Sequence, residues 1–280
     1  MRRDKPKRDY PAVFHGRGME YAESRAYRPS GDLKTIDWRL TARAGGVHTK
    51  MFHDERGRPV FLLLHLRAMM QFGTRKRFKS HLAAELAAML AWVGHDGGDR
   101  VGGFILTCAG LLEFPAARTR TAMLRLLHAV SAATRVAAPE GDEVPLATAL
   151  CKMRDVCRPG TLAFAISDLS DPPKPVETEL TRLARRAPVT LLHVQDAMDA
   201  TLPHSGGRLS DVAHLLVANR IGATARSAHA AGFAARQQML GRVARKHAMA
   251  LLNIMTSDDP RAVLQPRPLP HGHNPKGRAA

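Results

Sequence analysis

Short apolar runs alternate with stretches of helical periodicity from residue 59 to residue 258, and that alternation leaves few architectures open. Val60-Phe61-Leu62-Leu63-Leu64 is a continuous apolar run of the kind buried on both faces of a parallel sheet. After it, Phe78, Leu82, Leu86, Met89 (or Leu90) and Val93 recur at helical spacing, which predicts an amphipathic helix from near Lys76 to Val93, ended by Gly94. The order then repeats. Arg100 to Thr107 reads as a strand, Leu111 to Phe114 as a short edge strand, and Arg118 to Ala133 and Val144 to Cys157 as helices. Strands follow at Leu162 to Ile166, Val189 to Val194 and Val212 to Val217, with a helix at Pro175 to Arg186. A long helix from Ala225 to His247 leads to Met249 to Ile254, which closes the sheet. Strand alternating with helix implies an α/β fold: a doubly wound, mostly parallel, Rossmann-type sheet with helices on both faces.

The flanks differ. Residues 1–17 are polar and basic with Pro6 and Pro11 and read as a mobile arm. In Thr35-Ile36-Asp37-Trp38-Arg39-Leu40-Thr41 the residues Ile36, Trp38 and Leu40 fall on one face, as in a half-buried strand. A second strand at Val47 to Phe52 is expected to pair with it through Gly45-Gly46, so residues 18–58 make a small β-rich N-terminal extension. The tail 259–280 is rich in proline and basic residues without periodicity, and is expected to be disordered.

Composition narrows the function. Of the 280 residues 45% are hydrophobic and 24% charged, which is ordinary globular usage. No apolar run approaches the roughly 20 residues that cross a bilayer, and the charged N-terminus precedes no apolar stretch, so a cytoplasmic location is expected. Cys108, Cys151 and Cys157 lack metal-ligand spacing and read as unpaired, buried small residues. A formal charge of +17 attracts any polyanion, but the arginines are spread along the whole chain and not gathered beside aromatics. Specific nucleic-acid binding is therefore disfavoured.

Ligands of open α/β sheets bind beyond the carboxyl ends of the strands. Three loops lie there: His65 to Thr74, Gly141 to Leu150 and Ser167 to Asp171. Around them, Arg28-Pro29-Ser30-Gly31-Asp32, Ile36-Asp37-Trp38-Arg39, Thr41-Ala42-Arg43, Phe72-Gly73-Thr74, Phe78-Lys79, Gly98-Asp99-Arg100-Val101-Gly102 and Ile166-Ser167-Asp168 occur in an order and spacing that resembles the bacterial domain-of-unknown-function 58 family. The likeness covers roughly residues 15 to 258. It implies a von Willebrand factor A-like domain and a metal-ion-dependent adhesion site, in which an Asp-x-Ser-x-Ser loop, a Thr and an Asp hold a divalent cation that captures a partner's carboxylate. This chain departs from that pattern: His65, Arg67 and Met69 stand where the Asp and two Ser would be, Val144 best matches the Thr, and Asp168 alone remains. Magnesium asks for about six oxygen ligands, so imidazole, guanidinium and thioether groups are poor replacements and neither metal nor cofactor is expected.

Two readings of the loops stand side by side. Arg67 pairs with Asp168 and presents a metal-free, partner-binding surface with His65 and Met69, or these side chains fill loops. Likewise Arg25, Arg28, Asp32, Asp37, Trp38, Arg39 and Arg43 form either a partner-facing cluster or a structural ionic network stapling the extension to the core, the second being favoured because half-buried charges are normally paired. No Gly-x-Ser-x-Gly elbow, Cys-x-x-Cys pair or His-Glu-x-x-His helix occurs, so no enzyme is expected. The resemblance implies a non-catalytic adaptor whose partner is a MoxR-type AAA+ ATPase or its client. The alternative is a basic protein that binds nucleic acid or an anionic surface.

Overall fold

The computed structural model describes residues 19–26, 48–54, 57–135, 142–203, 208–210, 215–217 and 221–264, with side chains described for 57–135, 142–203 and 221–264. Six strands form the main sheet: β3 (Pro59–His65), β4 (Arg100–Thr107), β5 (Gly110–Ala117), β6 (Leu162–Ser167), β7 (Val189–Gln195) and β10 (Ala250–Met255). Their order is β10-β7-β6-β3-β4-β5, with all neighbours parallel except the antiparallel edge pair β4 and β5. The apolar run at residues 60–64 thus lies in an interior strand, hydrogen-bonded on both sides and buried on both faces, where each buried Leu contributes about 1.5–3 kcal/mol.

Helices cover both faces. On one face α1 (Lys79–Asp96), α2 (Arg120–Ala133) and the short α7 (Pro260–Leu264) bury Leu82, Leu86, Met123, Leu126 and Leu264 against Val60, Leu62 and Leu64. On the other face α3 (Leu146–Val156), α4 (Pro173–Ala184) and the end of α6 (Ala223–Lys246) bury Leu150, Leu180, Leu240 and Val243 against Phe61 and Leu63. Alternate residues of β3 therefore serve opposite cores, as a period of two requires. The remaining helix, α5 (Ala197–Ala200), follows β7 directly at the carboxyl edge.

The predicted doubly wound sheet is present, with local corrections. Gly94 does not end α1, which runs on to Asp96. It is buried, and a Cβ there would stand 3.2 Å from Val101 Cγ2, so glycine is used for close helix-to-sheet packing and not for termination. The strand at β2 (His48–Asp54) pairs antiparallel with β1 (Met19–Ala26). The predicted partner at Thr35 to Thr41, Trp38 included, lies outside the described residues, as do Arg28, Asp32, Asp37, Arg39, Arg43 and the side chain of Arg25. β9 (Leu215–Val217) pairs with β8 (Arg208–Ser210) in a separate two-stranded sheet and does not join the main one. The core continues past residue 259, because Leu264 is 3% exposed within it. Cys157 is buried, and that burial pushes its thiol up to about 12, but Cys108 and Cys151 are half-buried and not core residues.

Candidate functional site

The carboxyl ends of β3, β6 and β7 and the start of α1 converge on a compact set of charges. His65 ends β3 and is fully buried. Its Nε2 accepts from Arg67 Nε at 2.9 Å, and since a guanidinium only donates, the ring proton sits on Nδ1. That Nδ1 faces Ser167 Oγ at 2.9 Å and Asp168 Oδ1 at 3.3 Å.

Arg67 does not pair with Asp168 as the sequence suggested. Its guanidinium turns to the α3 side, where Nη2 donates to Asp171 Oδ1 and Nη1 to the Val144 carbonyl at 3.1 Å, with Glu143 Oε2 3.7 Å away. Glu143 also accepts from the Ala68 backbone N–H, and Asp171 from the N–H of Leu146 at the start of α3. Val144, matched to the threonine of the metal site, contributes a backbone carbonyl and no side-chain ligand.

The partner of Asp168 is Lys79. Its Nζ donates to Asp168 Oδ2 at 2.9 Å and to Asp199 Oδ1 at 3.1 Å, and the lysine is 1% exposed. Burial opposes the ammonium charge, but the two carboxylates outweigh it and hold Lys79 above its ordinary pKa. For Asp168, burial alone would raise the pKa; Lys79 and the His65 hydrogen bond overcome it and hold the carboxyl well below its usual range. Asp168 also accepts from the Ser170 hydroxyl at 2.9 Å across a turn in which Leu169 takes a φ of 51°. Next to it, Asp196 caps α5 and accepts from Thr74 Oγ1 at 2.8 Å and Thr256 Oγ1 at 2.7 Å, tying the loop after β3 to β7 and β10. His193 Nε2 lies 3.0 Å from the Asp168 carbonyl, and burial lowers its pKa.

The structure therefore brings His65, Arg67 and Asp168 together, all of them buried, and places Met69 outside at 56% exposure on a single 3-10 turn (Ala68–Met70) whose next residue, Met70, is fully buried. Sequence reasoning missed Lys79, Asp196 and Asp199. A signal existed for the first: a lysine in the first turn of a helix opposes the helix dipole, and it is tolerated inside a core only beside acids.

A divalent cation does not fit. Among the described residues no group of three or more His, Cys, Asp or Glu side chains is placed to hold a metal ion. Magnesium binds oxygen at about 2.0–2.1 Å, whereas the ammonium already occupies Asp168 and Asp199 at 2.9–3.1 Å. A divalent ion roughly 4 Å from that ammonium would be repelled by about 8 kcal/mol at an effective dielectric near 20.

Comparisons with known proteins agree with this architecture. A family model described as a protein of unknown function, DUF58, matches residues 23–239. The uncharacterized protein Rv1480 of Mycobacterium tuberculosis is 31% identical over 198 residues, which make up 71% of this chain and 62% of that protein, so the match spans less than two thirds of the relative's length. Among solved structures, BatB from Bacteroides thetaiotaomicron aligns with a TM-score of 0.50 at 13% identity, covering 74% of this chain and 94% of that one. An aerotolerance-related membrane protein from Bacteroides fragilis, solved with multiple mutations to serine, gives a TM-score of 0.50 at 13% identity over 74% of this chain and 95% of that one. At such identity the likeness is one of fold. Among the described residues no helix is long and apolar enough to cross a membrane. With a family match over most of its length the chain belongs to the DUF58 family, and its sheet order and two helical layers give it a von Willebrand factor A-like fold.

Proposed function

We propose that this protein is a non-catalytic adaptor that captures a protein partner on the carboxyl edge of its sheet, around a degenerate adhesion site that uses no metal. The observation that carries this reading is the contrast at that edge: the charges beneath are buried and paired with one another, while Met69 projects at 56% exposure. A rigid platform under an exposed apolar residue suits binding more than turnover, because a catalytic acid or base would have to be within hydrogen-bond reach of a substrate, whereas these side chains are spent on one another. His65, Arg67 and Asp168 act here by shaping the loops, and direct contact falls to Met69 and the exposed Thr74, Arg75 and Lys76. Such a rim fits a partner with an apolar recess for the thioether and carboxylates opposite the two cations. The family resemblance nominates a MoxR-type AAA+ ATPase, or its client, as that partner.

Pull-down of the ATPase encoded in the same organism tests the proposal. Met69→Glu and Arg75→Glu should each weaken capture at least tenfold, while Arg185→Glu, at the far end of α4, should not. Equal loss in all three, together with steep salt sensitivity, would point instead to general polyanion attraction by the +17 charge. Full capture by Met69→Glu would remove this edge from the interface.

A further inference from the structure

We propose that the Lys79 ammonium is the resident cation of the carboxyl edge: the chain fills with its own charge the site that the family resemblance assigns to a divalent ion. Lys79 is the first residue of α1 and its backbone N–H is fixed to the Phe72 carbonyl at 2.8 Å, so the side chain starts from a defined anchor. It ends between two carboxylates from different parts of the fold, Asp168 after β6 and Asp199 in α5, at 2.9 and 3.1 Å. Asp199 Oδ2 additionally accepts from the Asp196 backbone N–H at 2.7 Å, and Asp168 Oδ1 from Ser170 and Nδ1–H of His65, so both acids are oriented before the cation is counted. A carboxylate pair held in this way is a cation site by construction. The lysine side chain is 1% exposed and Asp168 3%, so the ammonium meets Asp168 away from solvent, while Asp199 is 17% exposed. Arg67, also buried, donates to Asp171, Val144 and His65 and does not reach this pair.

A covalently attached cation cannot dissociate. The edge is consequently assembled at all times, and neither chelators nor divalent ions regulate it. This inference rests on the metal-free reading of the site and is tested without any partner, so a failure of partner capture leaves it standing, whereas metal uptake by the wild type overturns both.

The test uses the full chain, thermal melts and paramagnetic-resonance titration with manganese. Wild type should show no saturable manganese binding and the same Tm with millimolar magnesium or with chelator. Lys79→Ala removes the equivalent of n-propylammonium. It should melt roughly 10 °C or more lower, recover with added n-propylammonium but not with n-propanol, and acquire saturable manganese binding that Asp168→Asn abolishes. Saturable metal binding by wild type would overturn the proposal, as would rescue by n-propanol equal to that by the amine, or failure of Lys79→Ala to take up manganese. If Lys79→Ala does not fold, Lys79→Arg and Lys79→Met decide: the charge-retaining variant should melt higher, and the reverse order would overturn the inference.

Discussion

The Lys79 ammonium stands 2.9 Å from the Asp168 carboxylate, with the two side chains 1% and 3% exposed. A pair so far from water has opposite pH limits at its two members. Asp168 has a folded pKa below its unfolded value, so its stabilisation is fully present above about pH 4 and is lost as pH falls through the folded value. Lys79 has a folded pKa above its unfolded value, so its share is present below about pH 10 and is lost as pH rises through the folded value. Denaturant titrations across pH should show both limbs, and Asp168→Asn should flatten the acid one. An unchanged acid limb in that variant would contradict the pairing.

Between those limits His193 sets a slope of its own. Burial lowers its pKa from the ordinary value, so below about pH 6.5 the unfolded chain binds the proton that the folded chain refuses, and stability falls with pH. Asp168 favours the imidazolium and Arg236 opposes it, but burial dominates. His193→Gln should remove most of the loss between pH 7 and pH 5.5, as read from urea midpoints.

Asp171 answers both Arg67 and the first N–H of α3. Asp171→Ala leaves a buried guanidinium short of a counter-charge and a helix start uncapped, which should cost about 3 to 5 kcal/mol. Asp171→Asn keeps the cap and should recover part of that loss. Equal stability of the wild type and Asp171→Ala would show that Glu143 alone neutralises Arg67.

Two glycines should respond with opposite signs to the same substitution. A Cβ on Gly103 in β4 would meet the Leu62 carbonyl oxygen at 2.6 Å, so Gly103→Ala should destabilise by about 1–3 kcal/mol. Gly232 lies in α6, and a Cβ there would have nothing within 4 Å, so Gly232→Ala should stabilise by about 0.5–1 kcal/mol. Calorimetric melts of the two variants check both signs.

The sheet was legible in the sequence because a strand buried on both faces has to be apolar throughout, and Val60 to Leu64 and Leu162 to Ile166 admit little else. Helix limits were less so. Gly94 carries the same letter whether it stops a helix or lets it lie close to Val101, and only packing distinguishes the two. In the N-terminal extension, Met19 to Ala26 does not read as a strand because its alternation is weak, while the expected strand at Thr35 to Thr41 lies outside the described residues. At the candidate site the loops were found by topology, and their pairing was not: Arg67 and Lys79 are both cations, and which of them reaches Asp168 depends on where α1 begins and where α5 places Asp199.

The ion pairs at this edge also impose a schedule on synthesis. Lys79 is 89 residues ahead of Asp168 and 120 ahead of Asp199, and Arg67 is 104 ahead of Asp171. At roughly 5–20 residues per second, a ribosome takes about 6–24 s between making Lys79 and making the last of its counter-charges. Until then β3 and α1 hold a lysine that cannot be buried without cost, so this end of the nascent chain should stay open, which limited proteolysis of stalled chains would read as cleavage near Lys79. A chain cut short before Asp199 carries the defect permanently, marking incomplete copies by an unburied charge.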